Sequence, residues 1–375
     1  MKISAITVAI AAGLAAAQNN AGDIIWVDGN SNDIEFFAPG TSSTGIFFDG
    51  PALAGNDDYL SMAFGPAGDL FVTNGARPLP NLNQIIRISD PFGAQTTSVF
   101  SSDPGGVLTG LLDIDYDAGR DQFFTVVNPT NNPTSNNPEP EGLASVNGTT
   151  GAANLFFTED PTRPQTRPFY FGAAEAILDS NTNQYLVTTD GFGVGADASP
   201  DNPGNGNDAS VLFRIDPATG NEVVVVDFTD VLAGNSNSNT ASDTLARVRG
   251  LTQLPNGDLV ISNIEDDQTR PALGGLYIVD LDSNGDFVGI EPIIEGLAAP
   301  GELEYDPFTN SIVFAERDFE QAGTIVGSLS RVNLDGTGYT NLVVGARPSE
   351  ILIVPTPAGA AVLGLAGLAA ARRRR

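Results

Sequence analysis

The sequence predicts an all-β protein, a six-bladed β-propeller whose ring is closed by pairing a C-terminal inner strand with N-terminal strands. Three observations point there. A strand–turn–strand unit recurs along the chain, a second hairpin follows each copy, and one copy is split between the two ends. Repeats of this size signal a modular fold, in which each unit buries its apolar face against the next.

The sharpest copies of the first hairpin are MAFGPAGDLFVTNG (Met62 to Gly75) and LTQLPNGDLVISN (Leu251 to Asn263). Each joins an apolar strand through a tight Pro/Gly/Asn turn to a strand rich in β-branched and aromatic residues. Looser copies are IDYDAGRDQFFTVVN, AILDSNTNQYLVTTD and LEYDPFTNSIVFAE. The second hairpins carry Asx- or Gly-rich turns: IIRISDPFGAQTTSVF, LASVNGTTGAANLFF, LFRIDPATGNEVVVVDF, LYIVDLDSNGDFVGIEPII and LSRVNLDGTGYTNLVV. Five units of strands a, b, c and d result.

The sixth unit is split. GDIIWVDG (Gly22 to Gly29) matches GDLFVTNG, and DIEFFAPGTSSTGIFF supplies a c–d hairpin, but no strand a precedes them. PSEILIV (Pro348 to Val354) supplies it from the other end, which would hide the sheet edges that an open array exposes. An open β-sandwich array is the competing architecture, and the split repeat argues against it. The pattern resembles the six-bladed propellers of the NHL and regucalcin/gluconolactonase-like kind, whose repeats also read Asp/Pro-x-Gly-x-Leu-Φ-Val. That resemblance spans nearly all of residues 22–354 and specifies fold far better than activity.

Both ends read as addresses. MKISAITVAIAAGLAAAQNN has one positive charge, an apolar run from Ala5 to Leu14 and small residues at Ala15 and Ala17, the pattern of a signal peptide over residues 1–17. A buried N-terminal helix is the alternative. At the other end, residues 355–375 form a proline break, an apolar run from Ala358 to Ala371, and Arg372, Arg373, Arg374 and Arg375. Fourteen helical residues reach roughly 21 Å, short of a hydrocarbon core of about 30 Å, so a transient membrane stop is expected rather than a permanent anchor. Val354-Pro355-Thr356-Pro357-Ala358, the apolar run and the arginines together resemble the PEP-CTERM sorting signals, in their VPxPA variant. The resemblance implies processing by an exosortase-type membrane enzyme and export to the cell surface, outer envelope or extracellular matrix.

The chain has 46 Asp and Glu, 17 Lys and Arg, and neither histidine nor cysteine. Without Lys2 and the four terminal arginines, twelve cations face those 46 carboxylates, a formal charge of −34. Nucleic acid is excluded as a partner, since phosphate binding needs clustered Lys or Arg. Divalent cations are the natural partners, and solubility in a salty medium is the plainer explanation. Without cysteine the fold must rely on its core, and without histidine or cysteine there is no Ser-His-Asp triad, thiol nucleophile or His-ligated zinc or haem. Catalysis would have to use carboxylates, Tyr, Arg or a metal-bound water.

The a–b and c–d turns are tight, whereas b–c connections such as NPTNNPTSNNPEPEG and DGFGVGADASPDNPGNGNDAS are long, as are two d–a connections. All the extra length therefore falls on one face, as loops built for binding or as uncommitted Asn/Pro-rich linkers. Aligning the repeats places Ser61, Asp113, Glu175, Gly250, Glu302 and Glu350 in one strand-a column, near the channel mouth on that elaborated face. Four carboxylates converging there would repel one another unless a cation such as Ca²⁺ joined them. The alternative is that they point to solvent. A second column ends strand b: Asp28, Asn74, Asn128, Asp190, Asn263 and Glu316. Local turn capping is its competing role. Regucalcin-like propellers hold a divalent metal with Glu, Asn and Asp at the channel mouth, and the resemblance carries this to Glu175, Asn263 and Asp190.

Asp280-x-Asp282-x-Asn284-Gly285-Asp286-x4-Glu291 satisfies the EF-hand loop pattern, but its flanks read as strands c and d, so a β-hairpin turn is expected, with calcium an added role. Gly191-x-Gly193-x-Gly195 lacks a following helix and is discounted as a phosphate loop. The expected function is an exported ligand- or partner-binding propeller, binding an extracellular ligand or glycan. A Ca²⁺-dependent lactonase- or phosphoesterase-type hydrolase and an envelope structural protein are the alternatives.

Overall fold

The computed structural model describes residues 21–29, 31, 33–49, 59–74, 84–102, 108, 111–127, 142–158, 173–189, 210–232, 247–264 and 273–355. Six four-stranded antiparallel sheets form their framework. Blade 1 holds strands a to d at Tyr59–Phe64, Leu70–Asn74, Gln84–Ser89 and Thr96–Ser102. Blade 2 follows at Leu111–Asp117, Gln122–Val127, Gly142–Asn147 and Ala153–Thr158, and blade 3 at Ala173–Leu178, Tyr185–Thr189, Val211–Ile215 and Glu222–Asp227. Blade 4 comprises Arg247–Gln253, Leu259–Ile264, Leu273–Leu281 and Phe287–Ala298. Blade 5 comprises Pro300–Asp306, Ser311–Glu316, Ser328–Asn333 and Thr340–Val344. In blade 6 strand a is the C-terminal Pro348–Ile353, and strands b to d are Ile24–Asp28, Ile34–Ala38 and Ser43–Phe48. The fold is thus an all-β, six-bladed propeller.

Side chains alternate along a strand, so a blade packed on both sides needs apolar residues at consecutive positions. Strand b of blade 6 shows the consequence, because all five residues of IIWVD are buried. Ile25 and Val27 face Met62 and Val72 of blade 1, whereas Ile24 and Trp26 face Val313 and Leu329 of blade 5. The other four large clusters likewise lie between neighbouring blades, so the core is a ring of six inter-blade layers. Outer strands are half solvated, as the exposed Ile46, Val99 and Val288 show.

A short α-helix, Phe228–Leu232, follows strand d of blade 3 and seats Phe228 and Leu232 in the layer shared with blade 4. A two-stranded hairpin, Glu320–Gln321 with Thr324–Ile325, decorates the b–c connection of blade 5. Among the described residues no helix is long and apolar enough to cross a membrane. The signal-like N-terminus and residues 356–375, including Pro357 and Arg372 to Arg375, lie outside the described residues. Val354, read from sequence as the first residue of the sorting motif, belongs to the propeller. It is 2% exposed, donates its N–H to Asp23 O at 2.8 Å and accepts from Gly22 N at 3.0 Å.

Candidate functional site at the channel mouth

Every inner strand carries a register shift at the same place. The a–b ladders slip between Tyr59 and Met62, Leu111 and Ile114, Ala173 and Glu175, Val248 and Gly250, and Pro300 and Leu303. In blade 6, Val27 pairs with Glu350 and the next residue, Asp28, with Pro348. Each slip sets one extra residue of strand a against strand b, a bulge that bends the strand and re-aims its side chains. The column Ser61, Asp113, Glu175, Gly250, Glu302 and Glu350 sits on these six bulges, early in strand a and so on the side of the long connections.

Hydrogen bonds wire the column from blade to blade. Ile114 N of blade 2 donates to Ser61 Oγ of blade 1 at 3.1 Å, and Ala176 N of blade 3 donates to Asp113 Oδ2 of blade 2 at 2.7 Å. Leu251 N of blade 4 donates to Glu175 of blade 3. Ser61 Oγ lies 2.9 Å from Asp113 Oδ1 and 2.6 Å from Glu350 Oε2. A hydroxyl has one proton to give, so both contacts are satisfied together only when one of the two carboxyls is itself protonated.

The electrostatics agree. Burial raises Asp113 despite the donors at Ala176 N, Ser61 and Ile114 N. Burial, then the charges of Glu302, Asp113 and Glu350, hold Glu175 well above the ordinary range. Glu350 is raised by burial and by Asp113 and Glu302. Burial pushes Glu302 up to about 8, against the pull of Arg317 and Arg249. The Arg317–Glu302 contact is 3.7 Å, too long to neutralise the ring by itself.

Gly250 interrupts the ring for a packing reason. A Cβ there would stand 2.6 Å from Gly301 O and 3.0 Å from Leu303 N of blade 5. A side chain would therefore force blades 4 and 5 apart. Gly250→Val is expected to cost about 1–3 kcal/mol, the usual overpacking range, read as a lower midpoint in urea unfolding. An unchanged midpoint would show that the two blades can separate freely at this point.

A second layer went unnoticed in the sequence. Blades 2 and 5, opposite each other in a six-membered ring, carry matching inner strands, Asp113-Ile-Asp115-Tyr-Asp117 and Glu302-Leu-Glu304-Tyr-Asp306. Acids at every second residue line one face of a strand, and that signal was legible. Asp115 is pushed up to about 7 by burial and by Asp113, and Glu304 up to about 8 by burial and by Asp115 and Asp306. Thr252 Oγ1 donates to Glu304 Oε2 at 3.1 Å. Asp117 and Asp306, deeper still, serve the turns: Asp117 pairs with Arg120, and Asp306 accepts from Phe308 N at 2.9 Å and Arg331 at 2.8 Å.

The strand-b column falls on described residues in four blades, at Asp28, Asn74, Asn263 and Glu316. Val127 and Thr189 oppose Leu111 and Ala173 as Asn74 opposes Tyr59, so Asn128 and Asp190 fall one residue later and lie outside the described residues. Asp28 and Glu316 act as local clamps. Asp28 accepts from Ser31 N at 3.1 Å and Arg347 N at 3.0 Å. Glu316 accepts from Ser330 Oγ and Tyr339 OH, each at 2.7 Å. Asn263 Oδ1 and Glu175 Oε2 differ, being buried oxygens with no hydrogen-bond partner.

For a hard cation the carboxylate and amide oxygens of the mouth fit, and two of them lack partners, while the guanidiniums of Arg317 and Arg249 stand near Glu302. The convergence expected from sequence is looser than drawn: among the described residues, no three acidic side chains close to metal-binding distance. The Asp280–Glu291 segment is a hairpin between strands c and d, with Asp280 opposite Gly289 and Glu291 opposite Ile278. Asp282 Oδ1 accepts from Asn284 N at 2.8 Å and Asp286 N at 3.0 Å, which lowers its pKa. Arg214 donates to Asn284 O at 2.6 Å and contacts Asp286 at 3.2 Å, so a guanidinium already stands against this turn where an ion would have to approach.

No protein-family model matches the chain, and no curated protein does either. Solved structures share its shape. A luciferin-regenerating enzyme aligns over 92% of this chain and 97% of its own at 10% identity, with a TM-score of 0.53. A TolB candidate from Agrobacterium tumefaciens aligns over 91% and 96% at 13% identity, with a TM-score of 0.52. A gluconolactonase from Xanthomonas campestris covers 79% of this chain and 84% of its own at 11% identity and a TM-score of 0.46. At these identities the likeness is one of fold: a six-bladed propeller with gluconolactonases and TolB-like proteins among its neighbours.

Proposed function

We propose that this chain is an exported acidic propeller that binds a ligand or partner at its channel mouth, with Ca²⁺ as the cation its carboxylates take up. One observation carries the reading. Asp113, Glu175, Glu302 and Glu350 are enclosed together, repel one another, and leave Glu175 Oε2 without a partner. Mutual repulsion inside a ring is relieved by a proton or by a cation, and a cation adds ligand-binding capacity at neutral pH. Glu175 and Asn263 would hold it, and the ion would supply charge to an anionic or polyhydroxylated ligand. Export is supported by the composition of residues 1–17 and 355–375.

The test is calorimetric titration of Ca²⁺ into the protein and into Glu175→Gln/Glu302→Gln. The double variant is expected to bind at least about tenfold more weakly, a loss of about 1.4 kcal/mol or more. Equal binding would remove the channel from consideration. Hydrolysis is a second reading, favoured by Asp115 and Glu304, whose carboxyls titrate near neutral pH as an acid or base would. Turnover of lactones or phosphoesters that disappears in Glu304→Gln would establish it.

A further inference from the structure

The two ends of the propeller leave it together. Strand a runs from the long-connection face to the tight-turn face, so Pro348–Ile353 delivers the chain to the tight-turn face at Val354 and Pro355. Strand b of blade 6 starts on that same face, and Gly22 N and Asp23 O both bond Val354. The residues before Gly22 and those after Pro355 therefore emerge from a single point. The carboxylate ring lies at the opposite end of the channel, since Glu350 precedes Val354 by four residues, about 13 Å of extended strand.

An exposed aromatic stands at the exit. Phe308, 45% exposed, packs its ring over Gly22, where a Cβ would meet it at 3.2 Å. Phe92, 38% exposed, rises from another tight turn on the same face against Phe47 and Phe64, at 5.8 and 6.0 Å. Exposed phenylalanine rings can be buried at the headgroup–acyl boundary of a bilayer. The apolar run begins at Ala358, three residues beyond Pro355, which an extended chain can stretch to no more than about 10 Å.

We infer that the tight-turn face, around Gly22, Phe308 and Pro355, is the surface this protein lays against a lipid bilayer while its C-terminal apolar segment is inserted, with the acidic channel mouth directed away. The inference rests on the transient membrane stop expected of the C-terminal segment. The short tether fixes which face is near. The ionised Asp216, Asp282 and Asp335 on tight turns disfavour anionic headgroups, so the fitting surface is zwitterionic.

The chain has no cysteine, so single labels report cleanly. The full-length protein would be reconstituted into phosphatidylcholine nanodiscs with nitroxide-labelled headgroups, carrying a fluorophore at Phe308→Cys, Ala218→Cys or Gln321→Cys. Phe308 and Ala218 lie in tight turns, and Gln321 lies in the hairpin on the long-connection face. Quenching at Phe308→Cys is expected to exceed that at Gln321→Cys at least threefold, with Ala218→Cys between them. Equal quenching, or stronger quenching at Gln321→Cys, in protein that co-floats with lipid would overturn the inference and leave membrane retention standing. Failure of the full-length protein to associate with the nanodiscs would overturn both.

Discussion

A chain ending at Arg347 is expected to lose cooperative folding. It lacks strand a of blade 6, which pairs with strand b from Ile24↔Ile353 to Asp28↔Pro348. Ile351, 1% exposed, packs with Ile24 and Trp26 in the layer shared by blades 5 and 6, and Val354 joins the layer shared with blade 1. Removing one such side chain typically costs about 2–5 kcal/mol, against a total stability of about 5–15 kcal/mol for a domain. Removing the strand takes several of these contacts and uncovers the amides and carbonyls of Ile24–Asp28, an apolar edge prone to pair with other chains. Loss of a cooperative transition in circular dichroism, with aggregation, is the expected result. Ile351→Ala in the full chain should fold and lie about 2–4 kcal/mol below the parent in urea unfolding. A truncated chain with the parent's midpoint would show that the ring does not depend on this strand.

Stability should fall as pH rises from about 4.5 to about 8. Glu302 and Glu304 are raised to about 8 and Asp115 to about 7, with Asp113, Glu175 and Glu350 raised as well. Across that window the unfolded chain has released these protons while the folded chain keeps them. The unfolded state then binds fewer protons, and the slope of unfolding free energy against pH is negative. Each group contributes at most about 1.4 kcal/mol per pH unit, reduced where channel water reaches it. Below about pH 4 the trend reverses, because Asp216, Asp282 and Asp335 have lowered values in the folded state and lose their favourable contacts on protonation. Thermal unfolding should therefore peak between about pH 4 and pH 4.5, and Ca²⁺ should raise the midpoint more at pH 8 than at pH 5. A midpoint that rose steadily from pH 5 to 8 without Ca²⁺ would show that the ring is ionised and relieved by some other means.

Blade boundaries could be read because each carries local chemistry. GPAGD and LPNGD announce tight turns, and the continuous apolar runs of strand b follow from burial on both faces. The channel column was legible too, since one strand position repeats from blade to blade. Pairing across the ladder is not legible in the sequence: it sets Val127 and Thr189 opposite Leu111 and Ala173, each just before an Asx residue. Asp115 and Glu304 were passed over because their spacing of two is common in any strand. Only the ring sets these two strands on opposite walls. Arg214 shows the same limit. Nothing near Asp282 in the sequence announces a guanidinium from the blade before it, about 70 residues away.

Taken alone, the amino-acid order determined the class of fold, the number of blades, the acidity and the apolar ends, because periodicity, turn residues and charge are properties of neighbours along the chain. The tertiary structure decided how the carboxylates meet. Bulges aim them inward, amides of the next blade bind Asp113 and Glu175, and burial raises the pKa values of all four. It also decided that both ends leave from the face opposite the mouth. Those facts depend on distances between residues far apart in the chain, which closure of the ring alone creates.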